Sequence, residues 1–292
     1  MSDPAELVAA APYGRVEAVS PLVRRVLARN PSPFTYTGTG TYIVGSGTVA
    51  IIDPGPDDAE HIAALLDAVA GETVSHIVIT HTHRDHSPAA PAVKAATGAI
   101  VVGCARLVLD DAGPRADAGF DRTYDPDAVL GDGDSVSGPD WTLTALHTPG
   151  HTSNHLCFAL AEERSLFSGD HVMGWSTTVV APPDGDMAAY MASLRLLLDR
   201  DDVVYYPTHG APVIEPQRLV RGLITHRKQR ENQIIKTLGD GPKSVPAMVA
   251  TMYASIDPRL HPAAGLSVTA HLIDLRARGI VGNDGDAWAL VA

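Results

Sequence analysis

Residues 75–86 read SHIVITHTHRDH, a short apolar strand that runs into His81, His83, Asp85 and His86. In an extended chain side chains two residues apart point the same way. His81 and His83 can therefore face one centre, while Asp85 and His86, where the chain turns toward a helix, can face a second. That geometry suits two metal ions rather than one. The composition predicts about 0.002 occurrences of the pattern HxHxDH in a chain of this length, so coincidence is a poor account of it.

Upstream, Tyr36 to Asp53 reads YTGTGTYIVGSGTVAIID, rich in Thr, Val, Ile and Gly, and predicts two paired strands that turn at Gly45 to Gly47. Asp57 to Ala70 sets Ile62, Leu65, Leu66 and Val69 on one helical stripe ahead of the strand at 75–80. Downstream, 88–96 predicts a helix and 99–103 a strand, while 110–140, dense in Asp, Gly and Pro, predicts mostly loop. Strand-like runs follow at 141–148, 155–160 and 164–169. Asp186 is placed to cap a helix MAAYMASLRLLLDR, and 202–207 returns as a buried strand. The order predicts an α/β fold of two stacked sheets with helices outside.

After Pro216 the texture changes. A polar helix at 218–238, two more helical segments at 245–254 and 267–279, and two short strands around Asp284 to Asp286 predict a winged-helix-like module, so the expected domains are 1–216 and 217–292. The formal charge of −12 divides unevenly, −15 over residues 1–213 and +3 over 214–292. An acidic chain is a poor generic binder of nucleic acid, although bound dications would offset part of the first figure. Cys104 and Cys157 form no CxxC pair, which excludes thiol-redox and zinc-finger readings. The first fourteen residues carry no leader pattern, and nowhere do eighteen apolar residues stand together, so the expectation is a cytoplasmic protein with no membrane partner.

Three further residues beside Gly or Pro on loops complete a ligand set: His151 in TPGHTSNH, Asp170 in FSGDH and His209 in YPTHG. Two divalent ions need about six or seven protein ligands and a shared water, and five histidines with two aspartates meet that need.

At these residues the chain resembles the metallo-beta-lactamase superfamily, whose hallmark is HxHxDH followed by a His, a bridging Asp and a final His. The resemblance implies an αβ/βα sandwich over about residues 15–215. It implies that His81, His83 and His151 hold the first metal, that Asp85, His86 and His209 hold the second, and that Asp170 bridges them. Two zinc ions are the implied cofactor, with manganese or iron also admitted by the oxygen ligands. The segments NPSPFTYTGTGTYIVG, GDHVMGWSTTVV, YPTHGAPV and THRKQRENQI resemble the lactamase-beta-2-like branch, which carries a winged-helix-like tail and includes single-strand RNA endonucleases and acyl-thioester hydrolases. The chain departs from the family's habit at Ser153 and Asn154, where acidic residues are common, and at His171, where a small residue or Cys is frequent. The well-known lactamases use a Cys ligand and lack the bridging Asp, so β-lactam hydrolysis is disfavoured.

Asp53, which ends a strand, is expected to orient a ligand histidine. His147, His155 and His171 stand near ligands in sequence, and Thr177 and Thr178 follow the bridging loop, where they could donate to a developing oxyanion. His226, Arg227, Lys228 and Arg230 could form a basic edge facing substrate, or a solvated helix face. The expected activity is metal-dependent hydrolysis by a shared hydroxide, with Asp85 and Asp170 central to it. Single-stranded RNA, or a small thioester or ester of acyl-CoA, acyl-carrier or glyoxalase II type, is the expected substrate. A DNA-binding regulator is the non-enzymatic alternative, disfavoured by seven converging ligands. The sequence does not set the oligomeric state.

Overall fold

A computed structural model describes residues 4–109, 119–255 and 257–291. The chain forms two packed units, one from Met1–Thr148, Asn154–Thr178 and Asp201–Pro216, the other from Pro149–Ser153, Val179–Arg200 and Gln217–Ala292.

In the first unit, a short helix α1 (Pro4–Ala10) precedes strands β1 (Val16–Ala18), β2 (Val23–Leu27), β3 (Gly40–Ser46) and β4 (Thr48–Ile52). Helix α2 (Ala59–Ala68), β5 (Thr73–Ile79), α3 (Ala90–Thr97), β6 (Ile100–Gly103) and β7 (Ala128–Val129) follow. They make one seven-stranded sheet in the order β1 to β7, antiparallel through β4 and parallel from β4 onward. A second sheet is built from β8 (Ser135–Ser137), β9 (Thr142–His147), β10 (Leu156–Leu160), β11 (Ser165–Gly169) and β12 (Val204–Pro207), in the order β12-β11-β10-β9-β8. Only β11 and β12 run parallel in it.

The sheets share one apolar core. Tyr42, Ile52 and Val78 of the first sheet share a face and belong to one buried cluster with Leu143, Phe158, Phe167 and Tyr206 of the second, and the Tyr42 and Phe167 rings lie 5.3 Å apart. Two polar tips in this layer find carbonyls: Tyr42 Oη donates to Pro207 O and Trp141 Nε1 to Thr48 O. Helix α2 starts where Asp58 accepts from the His61 amide, and α3 stops at Gly98 in the left-handed region.

The expected paired strands at 36–53 are β3 and β4, and both predicted helices are present within two residues at most boundaries. Two short strands, β7 and β8, interrupt the loop expected at 110–140, of which 110–118 lies outside the described residues. β1 and β2 carry no clean apolar run. In β2 (VRRVL) Arg24 and Arg25 are held by Glu72 and Glu17.

In the second unit, Asp186 caps α4 (Met187–Leu198) by accepting from the Ala189 amide. Helices α5 (Pro216–Leu238), α6 (Val245–Met252) and α7 (His261–Ala277) accompany a three-stranded sheet ordered β13 (Lys243–Ser244), β15 (Ala287–Leu290), β14 (Val281–Asp284). Ile234, Leu238, Met248, Val268, Leu272 and Trp288 form its separate core. This is the winged-helix arrangement of three helices and a small sheet. No helix among the described residues is long and apolar enough to cross a membrane.

Candidate metal centre

Four strand ends make the site. β4 and β5 run parallel and release Asp53 and Thr80 at neighbouring C-terminal ends, while β11 and β12, also parallel, release Asp170 and the pair Thr208-His209. Carboxyl ends of parallel strands are where open α/β sheets place ligands. The loop after β5 is pinned on several sides. Leu156 N donates to Thr80 O, Gly55 N to His86 O, and Arg84 N to Gly119 O.

Asp53 organises this junction. Its Oδ1 accepts from the Thr80 amide at 2.9 Å, and its Oδ2 accepts from Thr80 Oγ1 at 2.7 Å, His86 Nδ1 at 2.8 Å and Thr208 Oγ1 at 3.3 Å. It is 1% exposed and sits at φ 47, a conformation Asp tolerates better than most residues. By accepting from His86 Nδ1–H it turns Nε2 toward the other side chains of the site, where a cation can take the place of a proton. Similar anchoring recurs. His209 Nδ1 donates to Gly38 O, His151 Nδ1 to Val179 O, and His81 Nδ1 faces Thr80 Oγ1, whose own hydrogen goes to Asp53. His83 differs, because its Nδ1 lies 3.0 Å from His81 Nε2, so a proton or a cation must lie between the two.

The ligand atoms of His81, His86 and Asp170 fall within 4.8 Å of one another, and so do those of Asp85, His86 and His209. His86 Nε2 is buried and has no hydrogen-bond partner among the described residues; Asp85 Oδ2 and Asp170 Oδ2 stand 3.5 and 3.6 Å away. His209 Nε2 lies 3.0 Å from Asp85 Oδ2 and 3.4 Å from Asp170 Oδ1, so the two oxygens of Asp170 are directed to different histidines. Burial pushes the Asp85 and Asp170 carboxyls up, but His86 and His209 outweigh it and hold both well below the usual carboxylate range. Burial would likewise lower the two imidazoles, and the carboxylates instead raise His86 well above its ordinary value and His209 to about 10. Carboxylates held ionised beside imidazoles that favour a positive charge make a donor set in which a divalent cation can take the place of the imidazolium protons and release them. The residues present fit metal.

The Asp170 loop is braced from behind. The Asp170 amide donates to His155 Nε2 at 3.2 Å, and His155 Nδ1 therefore carries the proton, which faces Thr148 Oγ1 at 2.9 Å. Thr148 Oγ1 in turn donates to Cys157 Sγ. Gly169, at φ 51, lets His155 come this close, since a Cβ there would stand 2.6 Å from His155 Nε2. Thr178 Oγ1 points to the carbonyl oxygens of Asp170 and His171, so its hydroxyl braces the loop rather than waiting for an oxyanion. Thr177 is exposed, His171 is buried with its ring centroid 5.9 Å from that of His155, and His147 is exposed at the end of β9. Asn154 Nδ2 donates to Ala105 O.

His151 belongs to the short 149–153 segment of the second unit. In that same unit Arg227, 3% exposed, lies over the Tyr190 ring and Arg230 over Tyr253, so these two are packed rather than solvated, while Lys228 is exposed. Sequence reasoning misses the bracing roles of Thr80, Thr148 and Thr208. The available signal is the repeated Thr-His pair at 80–81, 82–83 and 208–209.

Comparison with known proteins agrees with this geometry. Residues 36–209 match the family model of the metallo-beta-lactamase superfamily, and residues 244–288 match that of the beta-lactamase associated winged helix domain. An atrochrysone carboxyl ACP thioesterase of Claviceps purpurea is 34% identical over 77% of this chain and 67% of that protein. A beta-lactamase-like protein 2 homolog of Caenorhabditis elegans is 35% identical over 76% of this chain and 73% of its own. Among solved structures, a beta-lactamase domain protein from Burkholderia ambifaria superposes with a TM-score of 0.78 at 19% identity, covering 96% of this chain and 94% of that one. A metallo-beta-lactamase family protein from Thermus thermophilus superposes with a TM-score of 0.75 at 22% identity, covering 94% and 100%.

Proposed function

The chain belongs to the metallo-beta-lactamase superfamily and is a hydrolase of that family, and from this membership we propose that it is a binuclear, zinc-dependent thioester hydrolase. Manganese or iron would suit the same donors. The observation that carries the reading is the pair of overlapping ligand groups that share His86, with the Asp170 oxygens directed to both His86 and His209. In the proposed assignment His81, His83 and His151 would hold one ion and Asp85, His86 and His209 the other, with Asp170 a ligand available to both.

Bound divalent ions supply a water that ionises near neutral pH and an electrophile for the scissile carbonyl. The protein's own groups do the rest. Asp53 fixes the His86 tautomer and, through Thr80 and Thr208, ties together the two ligand loops. His155 and Thr178 hold the backbone of residues 170–171, which fixes the point from which the Asp170 side chain leaves the chain. The carboxylates are held ionised and the Nδ1 protons of His86 and His209 are engaged, which leaves these groups little to donate to a departing atom. A thiolate, whose conjugate acid has a pKa of about 8.5, needs such donation least. The thioesterase name carried by relatives supports the same bond.

The test is a panel run on metal-reconstituted protein: acyl-CoA thioesters, S-lactoylglutathione, single-stranded RNA and a chromogenic phosphodiester. Thioester cleavage that is lost with chelator and restored by zinc is expected. Cleavage of RNA with thioesters untouched would replace this reading.

A further inference from the structure

An apolar cleft of about 510 Å³ has a lining that includes Val8, Pro31, Pro33, Tyr36, Thr37 and Trp175. That volume falls within the range of small-molecule sites, which are largely apolar and preformed. We propose that the cleft receives the acyl group of the substrate, and that this group is a medium-length apolar chain; the proposal rests on the thioesterase reading and names its substrate class.

Continuity with the centre is built into the backbone. Thr37 precedes Gly38, whose carbonyl anchors His209 Nδ1 at 3.1 Å. On the other wall Trp175 follows Gly174, which pairs with Gly210, the residue after His209, and Gly174 N donates to His209 O. A Cβ on Gly174 would run into the Ala211 carbonyl and one on Gly210 into Gly174 itself, so the Trp175 loop and the His209 loop are held backbone to backbone. Both walls of the cleft therefore start within one or two residues of groups that contact His209.

The walls are also preformed. Ser32 Oγ accepts from the Phe34 and Thr35 amides, Tyr36 N donates to Ser32 O, and Asn30 Oδ1 accepts from Thr39 N. The Tyr36 and Trp175 rings stack at 4.8 Å with planes 14° apart, although Trp175 remains 37% exposed. Tyr36 sits at φ 57, a strained conformation for an aromatic residue that the surrounding loop must impose. An exposed aromatic stack on a self-bonded loop, flanked by two prolines, gives an apolar chain a surface to leave water against at little ordering cost. Among the described residues the lining offers no charged side chain to a carboxylate or phosphate, which separates this occupant from the polar end of a substrate.

Two measurements test the proposal. In the first, titration calorimetry compares hydrolysis-inert thioether analogues of acetyl-CoA and octanoyl-CoA on the zinc-loaded protein, its Trp175→Ala and Tyr36→Gly variants, and a Val129→Thr control away from the cleft. The octanoyl analogue is expected to bind at least tenfold more tightly than the acetyl one in the parent and control, and less than threefold more tightly in either cleft variant. Tyr36→Gly removes the ring while relieving the positive φ, so its folding is not at risk. In the second, kcat/KM for the matching thioesters should show the same preference, expressed in KM. Equal affinity for both analogues in the parent, or an unchanged preference in both variants, overturns the proposal. If no thioester is hydrolysed, the reading of the bond fails while the binding comparison still decides the cleft.

Discussion

His86 of the metal centre and His271 of the winged-helix unit are both shut off from solvent, and each keeps ring nitrogen without a hydrogen-bond partner among the described residues. Their surroundings are opposite in sign. Burial acts to lower both imidazoles, but Asp85, Asp170 and Asp53 around His86 reverse its effect, whereas Arg227, His226, Arg278 and Arg230 around His271 add to it and bring that group to about 3. Depth of burial therefore does not mark a ligand. The charge gathered around the ring does, because a site that favours an imidazolium also favours a cation, and one ringed by guanidiniums favours neither.

The comparison breaks most visibly at Asp170. Asp170→Asn removes a negative charge directed to both His86 and His209, and with it a carboxylate that the proposed two-metal site would need. Metal content measured by elemental analysis should fall from about two ions per chain toward one. Turnover on the best thioester should fall by more than about a hundredfold, beyond the usual effect of changing a residue behind a ligand. A variant that keeps both ions and full activity would mean that Asp170 does not join the two halves.

Asp53→Asn sharpens the same contrast with less disruption. An amide can still accept from the Thr80 backbone, yet its NH2 would face His86 Nδ1 or Thr80 Oγ1, reversing at least one hydrogen bond now made to a carboxylate. Zinc affinity, measured by competition with a chromogenic chelator, should weaken by about 10- to 100-fold. Unchanged affinity would show that the His86 tautomer is set elsewhere.

The proposed ligands stand out in the sequence because several lie at fixed spacing in one stretch and the others sit beside Gly or Pro at strand ends. Asp53 is legible from its place after TVAII. His155 stands out as a histidine near the ligands but its partner does not, since the amide it accepts from belongs to Asp170 and only the pairing of β10 with β11 brings the two together. The apolar cleft is invisible for a similar reason: its walls come from residues near 8, 36 and 175, none of which forms a periodic pattern with the others. β2 escapes because adjacent arginines break its apolar alternation, and the carboxylates that hold them, Glu17 and Glu72, are supplied from outside the strand. Hydrophobic patterning reports what faces a core, and these features rest instead on where strands end or on ion pairs along an edge.

His155→Leu should act on stability more than on metal identity. The Asp170 amide would lose its acceptor in a buried position, a loss of about 1–3 kcal/mol. Urea unfolding of the zinc-free protein should show it, and His155→Gln, which restores an acceptor, should recover part. If both variants unfold like the parent, the Asp170 loop is braced by Thr178 alone.

The smallest effect is expected at His271, and it has a direction that the metal centre cannot mimic. Its folded pKa of about 3 lies below the unfolded value of about 6.5, so between those limits the unfolded chain binds the extra proton. The contribution of the neutral ring is then complete above pH 6.5 and is lost as pH falls toward 3, at about 1.4 kcal/mol per pH unit inside the window. His271→Leu removes a ring whose two nitrogens have no partner among the described residues, so the replacement leaves no new unsatisfied group. Urea unfolding of both proteins in the same metal-free state at about pH 6.5 and about pH 5 isolates this one group, because every other titrating residue is common to the pair. The parent should lose about 1.6 kcal/mol more than the variant over that interval, because half of the unfolded rings already carry the proton at pH 6.5. Equal losses would show that His271 is already protonated in the folded winged-helix unit, and the contrast with His86 would then lie in something other than the charges around the two rings.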